Sequence, residues 1–537
     1  MFRLVFYRTL YSQSAASVTM GSIAAVLKEK EHAFVLTKLI KKDHKNGMLL
    51  CADYKNYPVV IAKPNFQDYE EFIPLLIQVK RMGIAKRVFL CGPFSTINHQ
   101  KIMNTYTEID GILFGYCEKC VAMLANSICM DDNYLWDTTI PGGIWRNPIT
   151  KVLEGGQITP NTPIQDLPLP IRIIEENEKD MIANLEFTRG CSNNCSFCHM
   201  SVLKSFNYPQ KADIRDCEQV IQDIRNLVAL GKKFIIFNDS LFYRGSQDDN
   251  RIIQFCNRLK EENLSIYFMV YLSLRQFPPL HIMNKLAEVG LVRVFLGVEN
   301  NDPDALDLFH KKISVSFEMV VKDVLNPLHI SYHIGYMVFY PGISLYQLQS
   351  SIEYLIQIGK IHRIGVILEK VRLLPNTELY NQYISPLNKI DTAYDYQFEC
   401  SKVAAVYNGL QKMFLNVLGG SYANAEAMCT SYTLMMAYCY RIDPLYANRL
   451  AAEIQKHEES IKYYQDILSH YFTRVLKGVM QAQWSEEEIS STKMQHKFIQ
   501  EYTEAYSKLQ ISWALIINAI RDIYDPDIYQ MIFKGDE

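Results

Sequence analysis

Long apolar runs are missing from this 537-residue chain. None reaches the roughly 18 residues that a membrane-spanning helix needs, so no membrane association is expected. Charge of one sign is scarce as well. Lys and Arg number 55 against 58 Asp and Glu, a net charge of −3, and no run of Lys or Arg stands out. That balance provides no electrostatic footprint for nucleic acid. A disorder signature is also absent: hydrophobic residues make up 49% and charged residues 21%. Such a composition is globular, and the length suggests roughly three domains. The 13 cysteines are odd in number and scattered, which excludes a small disulfide scaffold and points to a reduced cytoplasm. The first acidic residue is Glu29. Residues 2–7 nevertheless read as a strand and 18–30 as a helix, rather than as a transit peptide.

Three of the cysteines stand close together, in Arg189-Gly190-Cys191-Ser192-Asn193-Asn194-Cys195-Ser196-Phe197-Cys198, just after a strand signal at 182–187. Thiolates spaced by three and two residues on one tight loop can bind three corners of a [4Fe-4S] cube, leaving the fourth iron open to a ligand. A closed zinc site would need a fourth protein ligand. His199 adjoins Cys198 and is poorly directed for that role.

Strand and helix signals alternate over 1–135, with apolar runs at 2–7, 33–40, 59–62, 87–91 and 111–115 and helical stretches at 68–81 and 118–127. Alternation of this kind predicts a parallel, doubly wound sheet with its ligand beyond the strand C-termini. A Pro/Gly-dense linker is expected over 136–180. Alternation resumes over 181–385, with strand signals at 185–188, 234–237, 266–271, 292–298, 332–339 and 365–373. Six such units predict an open (β/α)6 barrel with its functional residues at strand C-termini. Residues 386–537 read as a helical domain: Asp443-Pro444 looks like an N-cap with proline at N1, Ser485 with Glu488 like a capping box, and the Tyr/Met stripe at 428–440 like core.

The C-x3-C-x2-C pattern with Phe197 before its last cysteine resembles the radical S-adenosylmethionine (SAM) superfamily. The resemblance implies that Cys191, Cys195 and Cys198 hold a [4Fe-4S] cluster whose open iron binds SAM. Ahead of it, Cys91-Gly92-Pro93-Phe94-Ser95-Thr96 and Gly115-Tyr116-Cys117-Glu118 resemble the "GGPHxT" and "GEGE" loops of the cobalamin-binding domain fused to many of these enzymes, and 20–32 resembles that domain's first helix. On this likeness Gly92, Pro93, Ser95, Thr96, Gly115, Tyr116 and Glu118 would bind cobalamin. Two positions depart from the pattern, with Cys91 for the first glycine and Tyr116 for the first glutamate. Asp43-His44-Lys45-Asn46-Gly47 is off register for a cobalt-ligating D-x-H-x-x-G and reads as a surface turn, which implies no histidine lower ligand. Residues 164–170 resemble the connector between the two domains.

Within the barrel, the resemblance implies that Asn238, Asp239 and Ser240 hold the SAM amino group and that Ser273 and Arg275 reach its carboxylate or ribose. Gly297-Val298-Glu299-Asn300 resembles the "GxES" motif, placing Glu299 toward SAM, and Tyr340-Pro341-Gly342 resembles "GxPGE" with Ile343 for its glutamate. Residues 374–380 resemble "PxPGTxLY", a barrel-closing segment. Cys117 and Cys120 form a second C-x-x-C that reads as core packing. The activity implied is cobalamin-dependent radical C-methylation of a small molecule or peptide, fed by a flavodoxin or ferredoxin. Ring contraction, cyclisation or oxidation with the same cofactors is the alternative. Methylthiotransfer to tRNA and a non-catalytic sensor fit less well, because 51–117 lacks the further cluster motifs and a sensor needs no SAM-facing carboxylates. No catalytic residue is assigned.

Overall fold

The computed structural model describes residues 2–8, 15–40, 58–128, 134–159, 161–173, 182–209, 211–383, 396–442 and 445–521. Asp43–Gly47 and the Asp443-Pro444 cap lie outside them. No described helix is long and apolar enough to cross a membrane.

The N-terminal part is a seven-stranded sheet in the order Phe34–Ile40, Phe2–Arg8, Val59–Lys63, Arg87–Leu90, Gly111–Leu113, Gly143–Arg146, Leu153–Gly155. The first five strands run parallel. Alternate residues of Phe2–Arg8 feed opposite cores, with Phe2, Leu4 and Phe6 on one face and Val5 on the other. That two-sided burial is what a doubly wound parallel sheet requires. The stretch expected as a linker supplies the last two strands, an antiparallel hairpin. Gly111 and Gly143 flank Trp145 so closely that a Cβ on either would approach its ring to under 3 Å. The hairpin escaped the sequence reading because its Gly and Pro content masks two very short strands.

The second part is a five-stranded parallel sheet in the order Ser331–Tyr336, Leu291–Glu299, Tyr267–Ser273, Phe234–Phe237, Ile182–Leu185, with helices between successive strands. Only one bridge, Phe339 with Lys370, stands where a sixth strand was expected. Residues Ile364–Leu368 of that segment form a helix instead. Their apolar run packs equally well as a buried helical turn, an ambiguity that short runs carry.

The third part is helical, led by Ser421–Ile442, Ala451–Met480 and His496–Arg521. It shares one continuous core with the barrel, running from Ile182 to Ile520. Met428, Tyr432, Met435 and Tyr438 are buried in it, as the stripe implied. The Arg293 guanidinium donates to Thr430 O at 2.8 Å, tying helix Ser421–Ile442 beneath the sheet. Ser485 and Glu488 form the expected capping box.

Candidate active site

The cysteine loop leaves the first barrel strand and is held from several sides. Asp239, at the end of the second strand, accepts from Phe187 N, Thr188 N and Thr188 Oγ1, each at 2.9 Å. Gly190 turns the chain at φ +87°, where a Cβ would sit 2.8 Å from Pro209 O. Ser196 Oγ donates to Leu308 O at 2.6 Å, and Leu379 N donates to Ser196 O at 3.0 Å. Lys204 Nζ donates to Asn193 O at 2.8 Å and Asn194 Oδ1 at 2.6 Å. Burial raises the Cys195 thiol pKa and pushes that of Cys198 up to about 12. Nearby positive charge or an iron centre would reverse that direction. Among the described residues no three His, Cys, Asp or Glu side chains converge as on a single ion. A cube asks for something else, since each thiolate takes its own iron and the sulfurs stand apart. The donor set therefore suits a cluster.

A cavity of about 460 Å³ opens beside this loop, at the C-terminal edge of the barrel strands, bordered by Phe197, Cys198, Phe295, Glu299, Arg363 and Lys370. The register slips between Gly297 and Glu299, and Glu299 sits at φ +67°, a conformation that costs a non-glycine residue free energy. Its Oε1 receives Lys311 Nζ at 2.7 Å. Burial lowers the Lys311 pKa and the Glu299 carboxylate raises it, with a net rise. A Cβ at Gly297 would come within 2.6 Å of Oε1 and 2.9 Å of Nζ, so glycine leaves room for the pair. The other carboxylate oxygen lies beside Gly335, also on the cavity wall.

The remaining expected SAM contacts divide. Asn238 presents a buried Nδ2 with no hydrogen-bond partner among the described residues, though it is not on the cavity wall. Arg275 is exposed and reaches Asn193 Oδ1 at 3.3 Å, across the cysteine loop. Asp239 accepts three hydrogen bonds from the chain itself, one on Oδ1 and two on Oδ2, and is not on the cavity wall. Burial raises its pKa to about 6 against those hydrogen bonds. Ser273 Oγ accepts from Arg275 N at 3.2 Å, and Ser240 is exposed. Pro341 and Gly342 are not on the cavity wall. Gly342 turns at φ +77° against Tyr383, whose hydroxyl a Cβ would meet at 2.7 Å.

At the N-terminal sheet, the glycine loops face the barrel and are filled by it. Pro93 occupies the first turn of helix Gly92–Ile97. Thr96 Oγ1 donates to Gly92 O at 2.9 Å and accepts from Gly115 N at 3.0 Å. Asn207 clamps Tyr116 at both ends, accepting from Tyr116 N and donating to Tyr116 O, each at 2.9 Å. A Cβ at Gly115 would fall 1.5 Å from Asn207 Oδ1. Tyr116 and Tyr208 lie ring to ring at 4.1 Å. Glu118, 3% exposed, pairs with Arg189 at 2.9 Å. Ser95 Oγ is buried without a hydrogen-bond partner among the described residues. Cys117 and Cys120 are buried, and burial pushes the Cys120 thiol up to about 12, as a core role requires.

Residues 185–349 match the sequence model of the Radical SAM superfamily. The chain carries a radical SAM domain. No curated protein is significantly similar in sequence to the chain. Among solved structures, the cobalamin-dependent S-adenosylmethionine radical enzyme OxsB, with aqua-cobalamin and SAM bound, aligns at TM-score 0.66 and 13% identity, covering 97% of this chain and 80% of OxsB. The radical SAM methyltransferase TsrM from Kitasatospora setae, with tryptophan substrate and a SAM analogue bound, aligns at TM-score 0.54 and 15% identity, covering 70% of this chain and 74% of TsrM. The whole chain thus has the three-part fold of cobalamin-dependent radical SAM enzymes.

The radical SAM domain brings together Cys198, Phe197 and Glu299 on one cavity and holds Arg275 against the cysteine loop. Sequence reading missed Lys311, whose partner lies 12 positions away and whose surroundings are apolar only in three dimensions. It also missed Lys63, buried at the point where the strand order of the N-terminal sheet reverses, with Nζ donating to Thr19 Oγ1 at 3.1 Å. Burial lowers the Lys63 pKa. A strand-end lysine after an apolar run was the signal available for it.

Proposed function

We propose that this chain is a radical SAM enzyme acting on a small molecule or peptide, with Cys191, Cys195 and Cys198 holding a [4Fe-4S] cluster and the adjoining cavity holding SAM. The observation that carries this reading is Glu299 and Cys198 on one cavity wall, at the strand edge where such barrels place their chemistry. When bound, the cluster and SAM supply a 5′-deoxyadenosyl radical that removes hydrogen from an unactivated carbon. The chain's own work is binding and enclosure. Glu299, held by Lys311, offers a carboxylate oxygen to an ammonium or hydroxyl group. Phe197 and Phe295 wall off water. A flavodoxin or ferredoxin would deliver the electron.

The likeness in fold to OxsB and TsrM supports a finer reading, cobalamin-dependent C-methylation. The loops that would take cobalamin do not fit it as they stand, because Asn207 and Tyr208 fill the space against Gly115 and Tyr116. No step is therefore derived through cobalamin. That filling favours a second reading, a radical SAM enzyme that works without cobalamin, rather than ring contraction, cyclisation or oxidation with both cofactors. Anaerobic reconstitution with iron, sulfide and hydroxocobalamin, then a UV-visible spectrum after desalting, separates the two. A cluster band lost in Cys195→Ala, with retained corrin bands, supports methylation, and a product heavier by one methylene establishes it. A cluster band without corrin bands supports the second reading. Absence of any cluster band overturns both.

A further inference from the structure

Arg189 immediately precedes the turn into the cysteine loop, and its side chain reaches from the barrel to the N-terminal domain. The guanidinium is 1% exposed and meets two carboxylates, Glu118 Oε1 at 2.9 Å and Glu186 Oε2 at 3.0 Å. Its carbon lies 4.3 Å from the centre of the Tyr116 ring, so the planar cation also stacks on an aromatic face. Tyr116 is in turn fixed by the Asn207 amide and backed by Tyr208. Glu186 follows the first barrel strand, whereas Tyr116 and Glu118 belong to the last parallel strand-end loop of the N-terminal sheet.

An arginine this deeply buried is costly unless its donors and charge are matched. The matching here is shared between domains: Glu186 takes Nε and Nη2 at 3.0 Å from within the barrel, and the N-terminal domain adds the Glu118 carboxylate and the Tyr116 ring. Arg189 is also pinned along its backbone, in the two-residue ladder of Thr188–Arg189 with Asp213–Ile214. Its neighbour Gly190 runs so close to Pro209 that a Cβ there would sit 2.8 Å from Pro209 O. Displacing the guanidinium would therefore be felt directly at Cys191, two residues on.

We infer that Glu118 and Tyr116, rather than contacting a cofactor, act through Arg189 as positioning residues for the cysteine loop, so that the N-terminal domain sets the geometry of the cluster ligands. The inference rests on the reading that this loop binds a cluster. It differs from that reading in placing part of the ligand framework 73 positions upstream of Cys191, as 191 − 118 gives.

Two readouts on the full-length protein test it. The first is hydrogen exchange on the apoprotein. Glu118→Gln is expected to speed exchange of the amides at 188–198 about tenfold, leaving those of strands Val59–Lys63 and Phe234–Phe237 unchanged. The second is iron retained after a chelator challenge of reconstituted protein. Arg189→Met combined with Glu118→Leu and Glu186→Gln replaces all three charges by uncharged groups and is expected to keep the wild-type melting temperature, while iron retention falls severalfold. If this combined variant keeps both the melting temperature and the iron retention of the wild type, the cluster of charges is only structural and the inference fails. Unchanged exchange at 188–198 in Glu118→Gln overturns it as well. If the wild type itself takes up no iron, the cluster reading fails, and the exchange experiment still decides whether Glu118 holds the loop.

Discussion

Glu299 and Glu118 make an instructive pair. Glu299 ends a strand of one parallel sheet and Glu118 stands shortly beyond a strand of the other, each is largely buried, and each meets one cation, Lys311 at 2.7 Å and Arg189 at 2.9 Å. Around Glu299 the chain leaves space: Gly297 and Gly335 withhold side chains, and a cavity opens in front. Beside the Glu118–Arg189 pair the space is taken by Tyr116, which is itself held by Asn207 and Tyr208. Similar loop chemistry thus ends once in polar capacity left over for a ligand and once in capacity spent on the chain itself. A motif marks where polar groups gather, and only the packing around them shows for whom.

The strongest way to break this contrast is at the cysteines. Cys195→Ala should abolish the cluster absorbance and 5′-deoxyadenosine formation from SAM entirely, read by spectroscopy and chromatography. Retained SAM cleavage would remove the barrel cavity's claim to be the reactive side. Next, Glu299→Gln should weaken SAM binding roughly 10- to 100-fold, the effect of losing a charge-assisted hydrogen bond worth about 1.5–3 kcal/mol. Equilibrium dialysis with SAM on reconstituted protein measures it. An unchanged affinity would mean that Glu299 is as self-satisfied as Glu118.

Asp239 offers a pH test. Its folded pKa, about 6, lies above the ordinary carboxylate value of 3.8. The native state thus holds a proton that the unfolded chain has lost between these values. Stability should fall as pH rises from about 4 to about 6, by up to about 3 kcal/mol, and level off above. Denaturant unfolding of the apoprotein should show that slope, and Asp239→Asn should flatten it. A slope of the opposite sign would mean that the three donors on this carboxylate outweigh its burial. The smallest effect belongs to Ser485→Ala, which removes a capping box at a surface helix. It should cost about 1 kcal/mol in thermal unfolding without touching SAM binding. To sharpen the contrast from the other side, Asn207→Gly should raise hydroxocobalamin retention over wild type. Equal retention by both proteins would show that the filled loops do not govern corrin binding.

Much of the fold was legible because period and punctuation agreed. The alternating runs of 1–135 and 181–385 gave the two parallel sheets, and Ser485 with Glu488 marked a helix start. The sixth barrel strand was misread because the apolar run 366–368 is too short for a period to separate strand from helix, and the charged stretch Glu369, Lys370 and Arg372 beyond it forms only the one bridge at Lys370. In the site, the cysteine loop and Glu299 were visible from local pattern alone. Asp239 was placed correctly at a strand end, but its donors, Phe187 and Thr188, lie 52 and 51 positions away, beyond any local pattern. The same holds for Asn207, which reaches across 91 positions to Tyr116. Local sequence reports which groups are available, and distant sequence decides which are already engaged.

The single apolar core from Ile182 to Ile520 also bears on how such proteins diversify. At the end of helix Ser421–Ile442, Arg441 donates to Ala287 O at 2.6 Å, Leu291 O at 3.3 Å and Leu328 O at 2.8 Å, stitching three barrel segments to the C-terminal third. That third is therefore no detachable appendage. Recombination that exchanged it for another lineage's helices would strand barrel carbonyls and strip the underside of the sheet. New specificities in this architecture are expected to arise by substitution within the inherited helices, with the barrel and its C-terminal third evolving as one heritable unit.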